Sequence, residues 1–115
     1  MAKSEHFRLV IDTNLWISFI ISDRFLEFDE FLKSSRCTLL FSKELIEEIS
    51  RTASKPKLRP FFPVGTVDEM FNVIEPFSEM VNVTSSVKAC CDPFDDFLLA
   101  LTKDGKADFL ITNKL

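Results

Sequence analysis

Four carboxylates stand where acids could act together: Asp12, Glu48, Asp92 and Asp95. Asp12 directly follows the apolar run FRLVI (7–11), so its charge sits in a partly dehydrated place and needs a cation or hydrogen-bond donors. Its purely structural alternative is to cap the helix that begins near Leu15. Glu48 lies in the segment KELIEEISRTA (43–53). At roughly 100° per residue, Leu45, Ile46, Ile49 and Ala53 define a buried face, with Glu48 about 115° from its centre and Glu44 and Glu47 about 145–155° away. Glu48 therefore flanks the core while the other two face water. In the segment 93–103, Phe94, Phe97, Leu98 and Leu101 form the buried face; Asp95 flanks it at about 110°, and Asp96 points out at about 150°. Asp92 and Asp95 also suit a helix cap and first turn, where an acid contributes about 0.3–1 kcal/mol. Two carboxylates about 4 Å apart repel by roughly 4 kcal/mol at an effective dielectric near 20, so acids brought together need a cation among them. Hard oxygen ligands favour Mg2+ or Mn2+ over zinc.

Positioning these acids takes an alternation of strands and helices. FRLVI reads as a buried strand, and NLWISFIIS (14–22), apolar nearly all round, as a buried helix. Asp23 would cap a second helix bearing Phe25, Phe28, Phe31 and Leu32 at helical spacing. CTLLF (37–41) is a second strand, and Ser42 caps a helix over 43–53. Lys55-Pro56 and the PFFP stretch at 60–63 form a loop. A helix over about 67–78 leads to a strand at 80–83, MVNV. Asp92-Pro93 opens a helix through about Lys103, and ADFLIT (107–112) is the last strand. This order implies βαβ units in a mainly parallel sheet, the α/β/α sandwich of three layers, without repeats or linkers. In such a sheet, ligand sites lie beyond the carboxyl ends of the strands, where Asp12 falls.

Composition removes several chemistries. The 115 residues fit one domain, and an apolar share of 46% supplies a core. Thirteen Phe with no Tyr make the aromatic content a packing resource, since no phenol needs a partner. Two glycines cannot build a phosphate-cradling loop. The single histidine, His6, sits in the N-terminal tail and gives no support to a Ser-His-Asp or Cys-His mechanism. Cys37, Cys90 and Cys91 are odd in number and without zinc spacing, and read as small buried hydrophobes of a reducing cytoplasm. The first residues, MAKSEHF, lack a signal-peptide apolar region, and no run approaches membrane-spanning length. A net charge of −4 disfavours a passive nucleic-acid-binding module but not a metal-dependent nuclease, whose acids the cation neutralises. Arg51, Lys55, Lys57 and Arg59 make one basic cluster, either a solvated loop or a contact for an RNA backbone.

Four pieces, LVIDTNLWIS (9–18), LLFSKELIEEISR (39–51), DPFDDFLLAL (92–101) and ADFLIT (107–112), together resemble the PIN-domain family, especially its toxins from toxin–antitoxin pairs. The pieces run in the family's order over nearly the whole chain. The resemblance implies a Mg2+- or Mn2+-dependent endoribonuclease with an acidic quartet. Asp12 matches the first acid, Glu48 the second, and the D-P-x-D pair falls on Asp92 and Asp95, of which Asp95 is the better match to the metal-binding acid. Asn14 would orient Asp12, and Ser42 stands where the family has a small polar residue. RNA is the implied substrate; a cognate antitoxin and a second copy of the chain are candidate protein partners. Relatives continue after the last strand as T-G-D-x-D, whereas this chain reads Thr112-Asn113-Lys114-Leu115. Lys114 falls near the fourth acid, so the sequence is expected to be a shortened form of the domain or to have a weakened metal site. Two other readings follow from the same residues: a non-catalytic scaffold of this family that binds a partner, and a phosphoryl-transfer domain using Asp12 as nucleophile. The last is disfavoured because Asn14 stands where a second Asp is usual.

Overall fold

A computed structural model describes residues 6–21, 30, 37–61, 65–87 and 93–112. The first strand, β1 (Phe7–Ile11), passes at once into helix α1 (Thr13–Ile21). No loop is needed because Asp12 caps the helix: its Oδ1 accepts the Leu15 N–H at 2.9 Å. Strand β2 (Cys37–Phe41) hands over to α2 (Lys43–Ala53) in the same way, with the buried Ser42 Oγ accepting the Leu45 N–H at 3.1 Å. Helix α3 (Thr66–Ile74) and a 3-10 turn (Glu75–Phe77) precede β3 (Ser78–Met80), and α4 (Pro93–Asp104) precedes β4 (Phe109–Ile111).

The four strands are all parallel, in the order β3-β2-β1-β4. Leu9 is the hub of the register, aligned with Leu39 on one side and Phe109 on the other. Strand alternation then sorts the helices. The odd-numbered residues meet α1 and α3: Trp16 stacks on Phe41 at 5.5 Å between ring centroids, and Phe71 meets Phe41 edge-on at 5.6 Å. The even-numbered residues meet α4, since Gly105, just past its last turn, lies against Leu40. Helices thus cover both faces, and β1 and β2 are buried on both sides from Leu9 to Ile11 and from Leu39 to Phe41. The outer strands β3 and β4 leave Met80, Phe109 and Ile111 exposed. The expected α/β/α sandwich is the fold observed.

Three boundaries differ from the sequence reading. The helix expected over 67–78 ends at Ile74, because Pro76 has no N–H to donate into an α-helical ladder and its ring crowds the preceding turn. The strand expected at 80–83 accordingly starts early, at Ser78, although Val81 N–H still donates to Phe41 O at 2.7 Å. The strand expected over 107–112 is limited to Phe109–Ile111, because the Ala107 N–H turns back to Thr102 O to close α4. The helix expected after Asp23 lies outside the described residues, Glu30 apart. Cys37 is buried as expected, and burial raises its thiol pKa; Cys90 and Cys91 lie outside the described residues. Among the described residues no helix is long and apolar enough to cross a membrane.

Candidate functional site

The chain leaves β1 toward β2 and β3, then returns through α4 to place β4 on the other side of β1. Connections therefore diverge between β1 and β4, which makes their carboxyl ends the topological switch point, the place where sheets of this kind bind ligands. Asp12 stands there. It is only 4% exposed, so its charge is largely removed from water. Besides the Leu15 N–H at Oδ1, the Thr112 hydroxyl donates to Oδ2 at 2.7 Å, and the Asp12 N–H donates to Ile111 O at 3.0 Å. Both readings of Asp12 hold together: it caps α1, and it is a buried carboxylate at the switch point. The next residue, Thr13, is 5% exposed and its Oγ1 is buried without a hydrogen-bond partner.

Thr112 is the residue that sequence reasoning missed. A local signal existed, since β4, like β1, ends in a polar residue after an apolar strand. The pairing with Asp12 depends on the β1–β4 register, in which Ile11 aligns with Ile111. Asn14, read as the residue that orients Asp12, is exposed at the start of α1. Ser42 is fully buried and serves as the cap of α2.

The helical-angle argument for α2 agrees with the burial. Leu45, Ile49 and Ala53 are buried, Glu44 and Glu47 are exposed, and Glu48 is half-buried with its side chain 29% exposed. Helix α2 packs on α1, the helix that Asp12 caps. Glu48 forms an ion pair and hydrogen bond with Arg51, one turn along α2. Arg51 is itself 66% exposed in its side chain. The other basic residues, Lys55, Lys57 and Arg59, are exposed in the turns after α2, where the Leu58 and Arg59 N–H groups donate to Lys55 O.

Helix α4 begins at Pro93, as read from the sequence, so its first turn opens at the carboxyl edge, where parallel strands hand over to helices. Asp95 belongs to that turn, but its side chain lies outside the described set, as does the whole of Asp92. Asp96 is half-buried rather than fully solvated. The expected convergence of Asp12, Glu48 and Asp95 therefore involves a side chain outside the described residues. Among the described residues no group of three or more metal-type ligands comes together. The proposed ligands are all carboxylate oxygens, the donor type that a hard cation takes, and Asp12 among them is buried. A hollow of about 300 Å3 lies elsewhere, lined by Phe41, Phe71, Met80 and others with Glu75 as its single acid. Its apolar lining offers no set of ligands.

The sequence profile described as the PIN domain matches residues 8–114 of the chain. No curated protein and no solved structure matches it.

Proposed function

Because this chain belongs to the PIN-domain family, whose members are generally nucleases, we propose that it is a divalent-metal-dependent endoribonuclease, folded as one PIN-like domain. The observation that carries this reading is the buried Asp12 at the β1–β4 switch point, held by the Leu15 N–H and the Thr112 hydroxyl. Asp12, Glu48 and Asp95 would hold Mg2+ or Mn2+, with Asp92 beside them as a further catalytic acid. Bound there, the cation supplies neutralising charge at the scissile phosphate and a more acidic water for in-line attack. The chain's own residues do the rest. Thr112 and Leu15 fix the direction of the Asp12 carboxylate, and Ser42 anchors the start of the helix carrying Glu48. Asn14, exposed at the start of α1, would help orient Asp12, and Lys55, Lys57 and Arg59, with Arg51, would receive the RNA backbone. A net charge of −4 makes that local basic patch necessary, because the molecule's overall field repels a polyanion.

The resemblance to toxins extends the reading to a cytoplasmic toxin with a cognate antitoxin, acting alone or as a homodimer. A second reading, a binding scaffold with weakened catalysis, is favoured by Lys114 near the fourth acid of the quartet. Digestion of single-stranded RNA with Mn2+, Mg2+ or chelator separates the two. Cleavage that requires metal and disappears in both Asp12→Asn and Asp95→Asn supports the enzyme. Metal-independent RNA binding without any cleavage favours the scaffold.

A further inference from the structure

We propose that Arg51 is a resident counter-ion of Glu48, a built-in latch that a divalent cation must displace before Glu48 can become its ligand. The inference rests on the metal-dependent reading above and adds to it how the site is regulated. Its basis is the Glu48–Arg51 ion pair on α2. The two partners are unequal. The Glu48 side chain is 29% exposed and flanks the core, whereas that of Arg51 is 66% exposed and extends into water. Arg51 can therefore leave without disturbing packing, while Glu48 stays anchored beside buried Ile49 and Leu45.

The contact runs from Arg51 Nη1 to Glu48 Oε1, so the guanidinium occupies one of the oxygens that a cation would use. It also places a full positive charge where the divalent ion must come. Metal binding at Glu48 is then an exchange of one cation for another rather than the filling of a bare site. An exposed pair of this kind is weak, so the latch is a soft one that metal can open. The same contact orients a half-buried glutamate without metal. It also makes Arg51 a positioning residue as well as a member of the basic cluster.

The test is Mn2+ affinity of the intact chain, followed by the electron paramagnetic resonance signal of the unbound ion. Arg51→Gln should bind Mn2+ roughly two- to five-fold more tightly than wild type, the range that an exposed ion pair allows. Lys55→Gln removes the same charge from the next turn but breaks no pair with Glu48, and should change the affinity by less. An unchanged or weaker affinity in Arg51→Gln overturns the latch, as does an equal tightening in Lys55→Gln, which would make the effect one of general field. Asp12→Asn separates this failure from failure of the underlying reading. Binding that requires Asp12 but ignores Arg51 sinks the latch alone. No Mn2+ binding, or binding indifferent to Asp12, sinks the metal site and the latch with it.

Discussion

Asp12 has two duties that respond differently to substitution. As a cap it needs only an oxygen toward the Leu15 N–H; as a metal ligand it needs charge. An amide at position 12 keeps the oxygen and can donate to Thr112 Oγ1, and Asn caps about as well as Asp. Asp12→Asn should therefore unfold within about 0.5 kcal/mol of wild type without metal, while Asp12→Ala, which loses the cap, should cost about 1–2 kcal/mol. Urea melts of both variants decide the matter. If Asn proves as damaging as Ala, the fold uses the charge itself. Thr112→Val removes one hydrogen bond to a carboxylate and should cost about 1 kcal/mol, with weaker Mn2+ binding because Oδ2 loses its guide. Unaltered Mn2+ affinity in Thr112→Val would reduce Thr112 to a structural contact. Asp12 and Glu48 are legible in the sequence because each is marked locally, by the end of an apolar strand and by helical phase. Thr112 is less so, since its partner is fixed by a register between strands 100 residues apart. The Glu48–Arg51 pair has the right spacing for a helix, yet nothing in the spacing says whether Arg51 serves the acid or the RNA.

Helix α4 shows how an element stops. The Lys106 N–H donates to Lys103 O and the Ala107 N–H to Thr102 O, the two bonds of a Schellman ending. The left-handed position belongs to Lys106, with φ 54°, although Gly105 stands next to it. Gly105 serves another end: a Cβ there would lie 2.7 Å from Leu40 Cδ1 and 3.1 Å from Leu101 O. The two residues are thus placed by different forces, packing for one and backbone for the other. Gly105→Ala should destabilise by about 1–3 kcal/mol through overpacking. Lys106→Gly should stabilise by up to about 1 kcal/mol, since left-handed strain of about 1–2 kcal/mol is relieved against a more flexible unfolded chain. Matched shifts of the urea midpoint in one direction for both would contradict this division. Elements with local punctuation, such as α2 after Ser42 and α4 from Pro93, are read from sequence nearly to the residue. Strand β3 starts two residues early because Pro76 ends the helix at Ile74 and leaves a single turn before Ser78, and its pairing with β2 is not encoded in any local period.

Across the whole molecule, Arg8 ties the sheet to the layer above it. Its guanidinium forks onto Glu79 at 2.9 and 2.8 Å, reaching from β1 over β2 to β3, and its Nε donates to Gly105 O at 2.8 Å. The Asp108 carboxylate accepts the Arg8 backbone N–H at 2.8 Å. The bond to Arg8 lowers the Glu79 pKa, and the pair raises that of Arg8; the Ser85 hydroxyl and the Ser85 and Thr84 N–H groups lower that of Asp104. For both carboxylates the folded pKa lies below the unfolded one. Their contribution is therefore present above the ordinary carboxylate range, about pH 4, and is lost as pH falls through the lowered folded values. Stability should be flat near neutrality and fall in acid, with a shallower acid limb in Glu79→Gln; an unchanged limb would remove Glu79 from the account. The effect is modest because Glu79 is about half exposed and screened by solvent. The layering and the parallel sheet were legible from the alternation of strands and helices. The clasp was not, because it joins residues from three distant parts of the chain.

The placement of β4 beside β1 also sets a clock. Asp12 is made early and Thr112 about 100 residues later, a delay of roughly 5–20 s at ordinary rates of synthesis. Until then β1 lacks its neighbour on one side, and the nascent chain carries its acids on an unfinished sheet. On the proposed reading, a nascent chain has no complete site until β4 has been made. Ribosome-bound chains stalled before β4 should accordingly neither bind Mn2+ nor cleave RNA, whereas chains released with β4 in place should do both.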